Sequence, residues 1–400
     1  MDLRLTSEEI RFREDVRQWF RTALPADIRR KCELGQRLSK EELKRWQRIL
    51  HDKGWATPAW ASDWGGTGWS PIQQYIFKEE MHTAPAPEPL SFNVNMIGPT
   101  LIAFGTEEQK RHFLPRISSL EYWFCQGFSE AGAGSDLASL RTTAVRDGDY
   151  YIINGQKLWT STAHHADWCF LLVRTDPAAK KQQGITYLLM DMTTPGITVR
   201  PIITLDGHHE TNEMFLENVR VPVRNRLGEE NRGWDYAKYL LGHERSGIAR
   251  VGISKMRLNR ARELAKRVTC GSGVLADDPG FRERAAAIEI ELKALEITQM
   301  RLIAEISKSS ASGKPDPKAS ILKLKGSELQ QAATGLLLEV AGYEAFEFDR
   351  DFVRGLREGE DAAEWARAIA PNHYFARHVS IVGGSNEIQR NIVAKTVLGL

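Results

Sequence analysis

The spacing of hydrophobic and polar positions changes twice along the chain. Up to about residue 120, apolar side chains recur at helical intervals. Thr6 with Glu9 and Ser39 with Glu42 have the separation of a capping box, each ahead of an amphipathic run, RFREDVRQWF and LKRWQRIL. Helices are expected to start at both points. Gly54 ends the second, and WATPAWASDWGGTGWSP reads as a tryptophan- and glycine-rich loop closing on Ser70-Pro71, an N-cap followed by proline at the first helical position. A third helix should run to about Met81. Trp60, Trp64 and Trp69 could form a binding cage, but packing that pins the loop to the core is preferred. After APAPEP comes the apolar run NMIGPTLIAF, and then Thr106 with Gln109 caps a further helix.

From Tyr122 to about Arg232 the apolar runs shorten to WCFLLVRT, GITYLLMD, GITVRPIITL and NEMFLENVRVP, separated by Gly, Pro and Asp turns. This pattern predicts a small antiparallel barrel or sandwich. Helical spacing then returns. Trp234 should open a long helix ending near Gly271-Ser272-Gly273. A second should cover Phe281 to Ser310, a third start near Pro317, and a fourth run from Asp361 to about Val379, together a four-helix bundle. The fold class is thus α+β multidomain: an N-terminal helical domain (1–120), a middle β domain (121–232) and a C-terminal bundle (233–400). A length of 400 residues suits several packed domains.

Composition narrows the function. Lys plus Arg number 54 against 52 Asp plus Glu, which argues against a nucleic-acid or anionic-membrane footprint. Cys32, Cys125, Cys169 and Cys270 show no CxxC or ligand spacing and read as small hydrophobes rather than disulfide halves. The start MDLRLTSEEI is charged from its second residue, and no apolar run approaches the ~18 residues a membrane helix needs. A soluble, cytoplasmic protein without membrane insertion is expected. His164-His165 and His208-His209 invite a metal reading, but adjacent strand side chains point to opposite faces and no carboxylate or cysteine stands at ligand spacing. No metal is expected.

The candidate chemistry lies in two places. In the stretch from Tyr122 to Trp168, Ser129, Gly132, Ala133, Gly134 and Ser135 follow a short apolar run, as in a strand entering a loop that exposes its backbone. Such a loop offers N–H groups and hydroxyls to phosphate or to a flat heterocycle, although an ordinary surface turn has the same composition. Asp147-Gly148 reads as a hairpin turn, a strand follows over Tyr150 to Ile153, and Asn154-Gly155 reads as a turn into Lys157-Leu158-Trp159-Thr160-Ser161. There an aromatic flanked by hydroxyls suits one face of an isoalloxazine. The second place is Glu244, which on a continuous helix shares a face with Leu240, Gly247, Ile248 and Val251. A carboxylate on an apolar stripe has a raised pKa and suits a general base, or else forms a structural ion pair with an arginine of another helix.

SEAGAGSD and NGQKLWTS resemble, in order and spacing, the flavin loop Thr-Glu-Pro-x-Ala-Gly-Ser-Asp and the following Asn-Gly-x-Lys-x-Trp-x-Thr of the acyl-CoA dehydrogenase family. The resemblance covers nearly the whole chain and implies FAD as cofactor and an acyl-CoA thioester as substrate. By the same resemblance Ser129, Trp159 and Ser161 would contact the flavin ring and Ser135 the pyrophosphate and substrate. Gln126, Phe128 and Gly134 would be further cofactor positions, and Ser385 and Glu387 adenosine-side positions. Most members carry the base in a C-terminal Tyr-Glu-Gly-Thr motif; here the matching segment is IVGGSNEIQR, with Gly383 in place of the glutamate. A minority, including isovaleryl-CoA and long-chain acyl-CoA dehydrogenases, place it at the position matching Glu244, followed by an arginine as Arg245 follows here. The resemblance therefore implies Glu244 as base, Arg245 beside it towards the substrate, and the Gly383 N–H on the thioester oxygen, with trans-2-enoyl-CoA as product.

Two motifs depart from the family pattern. Arg-x-x-Phe-Gly, which reaches a neighbouring subunit's FAD, is replaced by RVTCGSGVLADDPGFRER, and Gln-x-x-Gly-Gly by LEVAGY around Gly342. Arg282 or Arg284 in a shifted register is one substitute; a partner chain is another. GGSNEIQRNIVAKTVLGL and GWATPAWASDWGGTGWSP are similar to the large subunits of pimeloyl-CoA-type dehydrogenases, which work with a second, related chain. The expected partners are an electron-transfer flavoprotein or similar acceptor and a dimer-based oligomer, homomeric or with a related small subunit. An acyl-CoA oxidase and a non-catalytic partner subunit are the competing readings.

Overall fold

Four N-terminal helices begin where a side chain closes the first unpaired N–H groups. Thr6, Ser39, Ser70 and Thr106 each accept from the backbone three residues on, and Glu9, Glu42, Gln73 and Gln109 return the bond. In this computed structural model, residues 4–244, 249–306, 318–357 and 363–400 are described, the side chains of 243, 244 and 306 excepted. The first domain comprises α1 (Ser7–Ala23), α2 (Ala26–Leu34), α3 (Lys40–Asp52), α4 (Pro71–Thr83), α5 (Gly98–Phe104) and α6 (Glu107–Ser118). Sequence spacing gave no sign of α2, because Pro25 replaces a side-chain cap; its end is marked by Gly35 in the left-handed region (φ +77°). The apolar run after APAPEP is a π-helical turn, Phe92–Ile97, leading into α5. The tryptophans pack. Trp60 donates from Nε1 to the Val94 carbonyl at 2.7 Å and fills the space a Cβ on Gly98 would take, while Trp69 meets Phe12, Trp55 and Phe77.

The middle domain contains β1 (Phe124–Gly127), β2 (Thr143–Asp147), β3 (Tyr150–Lys157), β4 (Trp168–Arg174), β5 (Ile185–Asp191), β6 (Ile197–Ile203) and β7 (His209–Pro222), in the order β1-β4-β2-β3-β7-β6 with β5 on β4. The sheet is mixed, not purely antiparallel as expected: β4 runs parallel to both β1 and β2. Its fully buried run Cys169–Val173 is the apolar signature of a central strand. Asp147-Gly148 turns the β2–β3 hairpin as expected. Asn154-Gly155 does not turn the chain. β3 continues to Lys157 across a bulge, opposite an extra residue on β7 at Asn218 (φ +53°). Asn154 is paired to that residue, its Oδ1 accepting from the Asn218 N–H at 2.8 Å. Gly155 is required there, since a Cβ would lie 2.6 Å from the Thr142 hydroxyl.

The C-terminal domain comprises α7 (Gly233–Glu244), α8 (Val251–Ala265), the small hairpin β8 (Thr269–Cys270) and β9 (Gly273–Val274), α9 (Pro279–Ile306), α10 (Lys318–Ala341), α11 (Arg350–Val353), α12 (Glu364–Arg367), α13 (Ile369–Phe375) and α14 (Asn386–Val393). The single helix expected from Trp234 is divided, with Arg250 left-handed (φ +46°) at the start of α8. The Glu244 stripe therefore does not extend to Val251 as one helical face; Gly247 and Ile248 lie outside the described residues, as do Ser310, Pro317 and Asp361. The fourth bundle position is filled by α12, α13 and a short 3₁₀ turn. Pro371, which lacks an N–H, is tolerated only in a first turn, so the chain restarts at Ile369. α10 packs Leu322, Leu329, Leu336 and Val340 against α8 and α9. Buried Lys323 donates to Asn386 Oδ1 (2.9 Å) and the Ser380 carbonyl (3.1 Å), tying α14 to the bundle.

Gly326 of α10 is crossed so closely that a Cβ would lie 2.6 Å from the Cα of Ala249. Gly326→Val should cost about 1–3 kcal/mol as an overpacked site, read as a lower denaturation midpoint; an unchanged midpoint contradicts the packing.

Candidate functional site

β1 buries Phe124, Cys125 and Gly127, and a Cβ on Gly127 would meet Cys169 Sγ at 2.9 Å. Phe128 follows with its ring edge-on to Phe170 and Tyr187, at 5.7 and 5.9 Å. Its side chain is thus core, and only its backbone belongs to the loop. Glu130 and Ala133 then exchange both backbone hydrogen bonds (3.1 and 3.0 Å), a tight turn leaving Ala131, Gly132, Gly134 and Ser135 exposed. Gln126 is half-buried on β1 opposite Phe170.

The second motif lies beside the first because the Leu158 N–H donates to the Ser129 carbonyl at 2.8 Å. Trp159 is left-handed (φ +58°) and 58% exposed. A non-glycine residue there costs about 1–3 kcal/mol and needs support from its surroundings. Asn212 supplies it: its carbonyl accepts from Thr160 N at 2.9 Å, and its Nδ2 donates to the Thr160 carbonyl at 3.0 Å. Thr162 (φ +57°) donates from its N–H to the Glu210 carbonyl at 2.8 Å. The indole is held outward, with half-buried Ser161 next to it.

Beneath both motifs lies a pair that reading the sequence missed. Lys157 is wholly buried; its Nζ reaches Glu130 Oε1 at 2.8 Å and the Phe128 carbonyl at 3.2 Å. Glu130 also accepts the N–H groups of Arg141 (2.7 Å) and Thr142 (2.9 Å). Burial works to raise the Glu130 pKa, but Lys157 and these donors outweigh it and hold the carboxyl below its ordinary 4.5. Burial pulls Lys157 down, with Glu130 opposing. Both residues belong to the motifs, and a lysine on the inward parity of a strand is itself the signal that a buried partner exists.

The donor set fits a flat heterocycle carrying a diphosphate: an outward indole, exposed backbone at Gly132 and Gly134, and hydroxyls at Ser129, Ser135 and Ser161. Elsewhere, Gly383 and Gly384 are left-handed (φ +67° and +82°), their carbonyls each accepting from Gln389 Nε2 at 3.2 Å, bonds that do not use the Gly383 N–H. Ser385 caps α14 through Ile388 N, and Glu387 is exposed in its first turn. Glu244 ends α7, one turn beyond buried Leu240; its side chain and Arg245 lie outside the described residues. The chain resumes at a three-domain junction, where Arg250 binds Glu88 at 3.0 Å and Arg37 binds Asp206 at 3.2 Å. His378, on the 3₁₀ turn before Gly383, is pushed down first by burial and then by Arg250 and Arg37.

The histidine pairs meet, contrary to the strand geometry assumed for them. His164 and His165 lie on a 3₁₀ turn, and His164 stacks on His209 at 3.9 Å. Burial and neighbouring cations bring His164 and His208 down to about 4. Among the described residues no group of His, Cys, Asp and Glu could hold a metal.

Comparison with known proteins agrees along the length of the chain. Models of the N-terminal, middle and C-terminal domains of acyl-CoA dehydrogenases match residues 6–121, 125–219 and 231–398. The acyl-CoA dehydrogenase FadE26 of Mycobacterium tuberculosis is 38% identical over 351 residues, 87% of this chain and 85% of that protein. The acyl-CoA dehydrogenase IpdE1 of the same organism is 36% identical over 397 residues, 97% of each. Among solved structures, the ChsE4-ChsE5 complex from M. tuberculosis superposes with a TM-score of 0.83 at 35% identity, and the Tcur3481-Tcur3483 steroid ACAD with 0.85 at 32%, each covering 100% of this chain and 99% of the other. Fold and motifs define an FAD-dependent oxidoreductase of lipid metabolism. The chain belongs to the acyl-CoA dehydrogenase family. No helix among its described residues is long and apolar enough to cross a membrane.

Removing Glu130 strands a buried ammonium, so Glu130→Ala should lower stability by about 3–5 kcal/mol and release the flavin. Because the folded carboxyl titrates below 4.5, its contribution is complete above that value and is lost as pH falls through the lowered one. Glu130→Gln should flatten that acid limb of the denaturation midpoint; an unaltered limb would show that the pair contributes nothing.

Proposed function

We propose that this chain catalyses the FAD-dependent α,β-dehydrogenation of an acyl-CoA thioester to the trans-2-enoyl-CoA, with Glu244 as the base. The observation that carries this reading is the outward Trp159 indole, braced by Asn212 and linked to the Ser129–Ser135 loop over the Glu130–Lys157 pair. Ser129, Trp159 and Ser161 would hold the flavin ring, Ser135 the pyrophosphate and the substrate side, and Ser385 and Glu387 the adenosine end. FAD, when bound, supplies the hydride acceptor at N5. The Glu244 carboxylate takes the α-proton, and Arg245 provides positive charge next to it. The Gly383 N–H donates to the thioester oxygen, where negative charge develops as that proton leaves. Left-handed backbone at Gly383 and Gly384 supports this role, because it projects peptide groups without a side chain in the way.

We further infer that the working form is an oligomer, a heteromer with a related chain, which passes electrons to an electron-transfer flavoprotein or similar acceptor. Arg284 is already held by Glu339 through both its Nε and Nη2, so it is a poor substitute for the missing adenine-side arginine. Near Gly342 the surface is apolar, with Tyr343 87% and Phe346 75% exposed, and Ile381 beside Gly383 is 67% exposed. Such patches mark interfaces. Two of the similar solved structures are complexes of paired chains by their own names. Cys125 and Cys169 stand opposite each other on β1 and β4 as free thiols, which supports a reducing, cytoplasmic setting.

Glu244→Gln should slow anaerobic bleaching of the flavin by a good acyl-CoA by about 100-fold or more while binding is kept, since an amide cannot accept the proton. Retention of more than about a tenth of the wild-type rate points to another base. Expressed alone, the chain should be flavin-poor; a stable homo-oligomer with one FAD per chain and full activity overturns the heteromer.

A further inference from the structure

The turn that carries Trp159 and Ser161 rests on polar groups at the start of β7. Thr160 is fully buried, and its hydroxyl has no partner among the described residues, so it is held through its main chain. Its N–H donates to the Asn212 carbonyl at 2.9 Å, and its carbonyl accepts from Asn212 Nδ2 at 3.0 Å and, at 3.4 Å, from the Ala163 N–H. The carboxamide of Asn212, itself fully buried, makes two more contacts: His209 Nε2 lies 2.6 Å from Oδ1, and His164 Nδ1 lies 3.1 Å from Nδ2. The two imidazoles stack, with their planes 24° apart.

A bulge brings these groups together. Ile202 pairs with Thr211 but Ile203 pairs with His209, so Glu210 is an extra residue on β7. Residues three apart on a regular strand point to opposite faces; one extra residue reverses the parity and turns His209 to the side of Asn212. The carbonyl of Glu210 takes the N–H of left-handed Thr162. The polarity of the network then follows from a single atom. A carbonyl oxygen only accepts, so the Thr160 carbonyl faces Nδ2; Oδ1 therefore faces His209, whose Nε2 carries a proton, and the second Nδ2 hydrogen meets a bare Nδ1 on His164. Partial burial first, then His165, His209 and His208, bring the pKa of His164 down to about 4 against the pull of Asn212. At neutral pH the ring is uncharged and can accept.

We propose that Asn212, oriented by His209 and His164, is a positioning residue for the flavin: its carboxamide holds the Thr160 main chain so that the Trp159 indole and Ser161 present one fixed surface to the ring. This rests on the reading of Trp159 and Ser161 as flavin-ring contacts given above. A left-handed non-glycine residue such as Trp159 persists only where its surroundings over-determine it, and Thr160 is the neighbour through which they do so. The place requires a carboxamide, which donates to a carbonyl and accepts from an imidazole at once. Aspartate has nearly the same shape, yet it would set oxygen against oxygen at Thr160 and leave that carbonyl without its donor.

The test is the release of FAD from the holoenzyme in its native assembly, followed as rising flavin fluorescence, together with the visible circular dichroism of the bound flavin. Asn212→Asp should release FAD at least about tenfold faster, the effect of a buried acceptor left unpaired, and should alter the flavin dichroism. His209→Phe keeps a ring against His164 but has no N–H for Oδ1, so it should also speed release. His209→Gln, whose amide nitrogen has the reach of Nε2, should bring release back to within about threefold of wild type. That order separates the two roles, because a site that only needs filling accepts phenylalanine at least as well as glutamine. Unchanged release and dichroism in Asn212→Asp, or equal release from the two His209 variants, overturns the proposal. The wild type reports on the underlying reading: absence of FAD overturns the cofactor reading and this role with it, whereas bound FAD that a good acyl-CoA does not bleach counts against dehydrogenation alone.

Discussion

A lysine with no exposed surface must bring its counter-charge with it, and in this chain that requirement fixes the cofactor-facing surface. Lys157 ends β3 on the inward side of the sheet, where burial of an isolated ammonium costs several kcal/mol. Glu130 meets it at 2.8 Å and, by also accepting two backbone N–H groups, holds the loop from Ser129 to Ser135 above the sheet. Leu158 then ties Trp159 to the same loop. Two segments far apart in sequence become one surface through a few buried polar contacts, which are directional where apolar packing is not.

The sheet supplies the register for that pair. The Asn154–Asn218 bulge lets β3 stay paired with β7 as far as Lys157, and Asn212, further along β7, braces Thr160. The described helices α7 and α8 are separated near the place where N-terminal, middle and C-terminal domains meet. Arg250–Glu88 and Arg37–Asp206 join these domains by charge, and the close crossing at Gly326 holds Ala249 against α10. Arg250, at the start of α8, thus stands at a point that all three domains constrain.

What the sequence made legible was local. Capping residues, with proline after Ser70, located four helix starts to the residue, because the signal and its structural cause lie within one turn. The runs of apolar residues showed a β domain but not its topology: a parallel neighbour for β4 depends on a crossover that no local pattern encodes. Helices α2 and α14 lacked a loud signal, the one for want of a side-chain cap and the other because its eight residues follow a double glycine. The candidate flavin-side residues came from motifs. Glu130 and Lys157 stood in those same motifs and were passed over, since a charge pair between the turn after β1 and the end of β3 is visible only once the chain is folded.

Family resemblance and local structure also divide the site in an instructive way. The half proposed to meet the flavin ring keeps the family's motifs and stands on the paired Glu130 and Lys157, so its geometry is built into this chain. The adenine-side motifs are replaced, and the surface near Gly342 is apolar and exposed, which suits a region completed by another chain. Exposed apolar surface of this kind calls for another protein chain. The Glu130–Lys157 foundation of the candidate redox face lies within the chain, so a partner completing the region near Gly342 can leave it undisturbed.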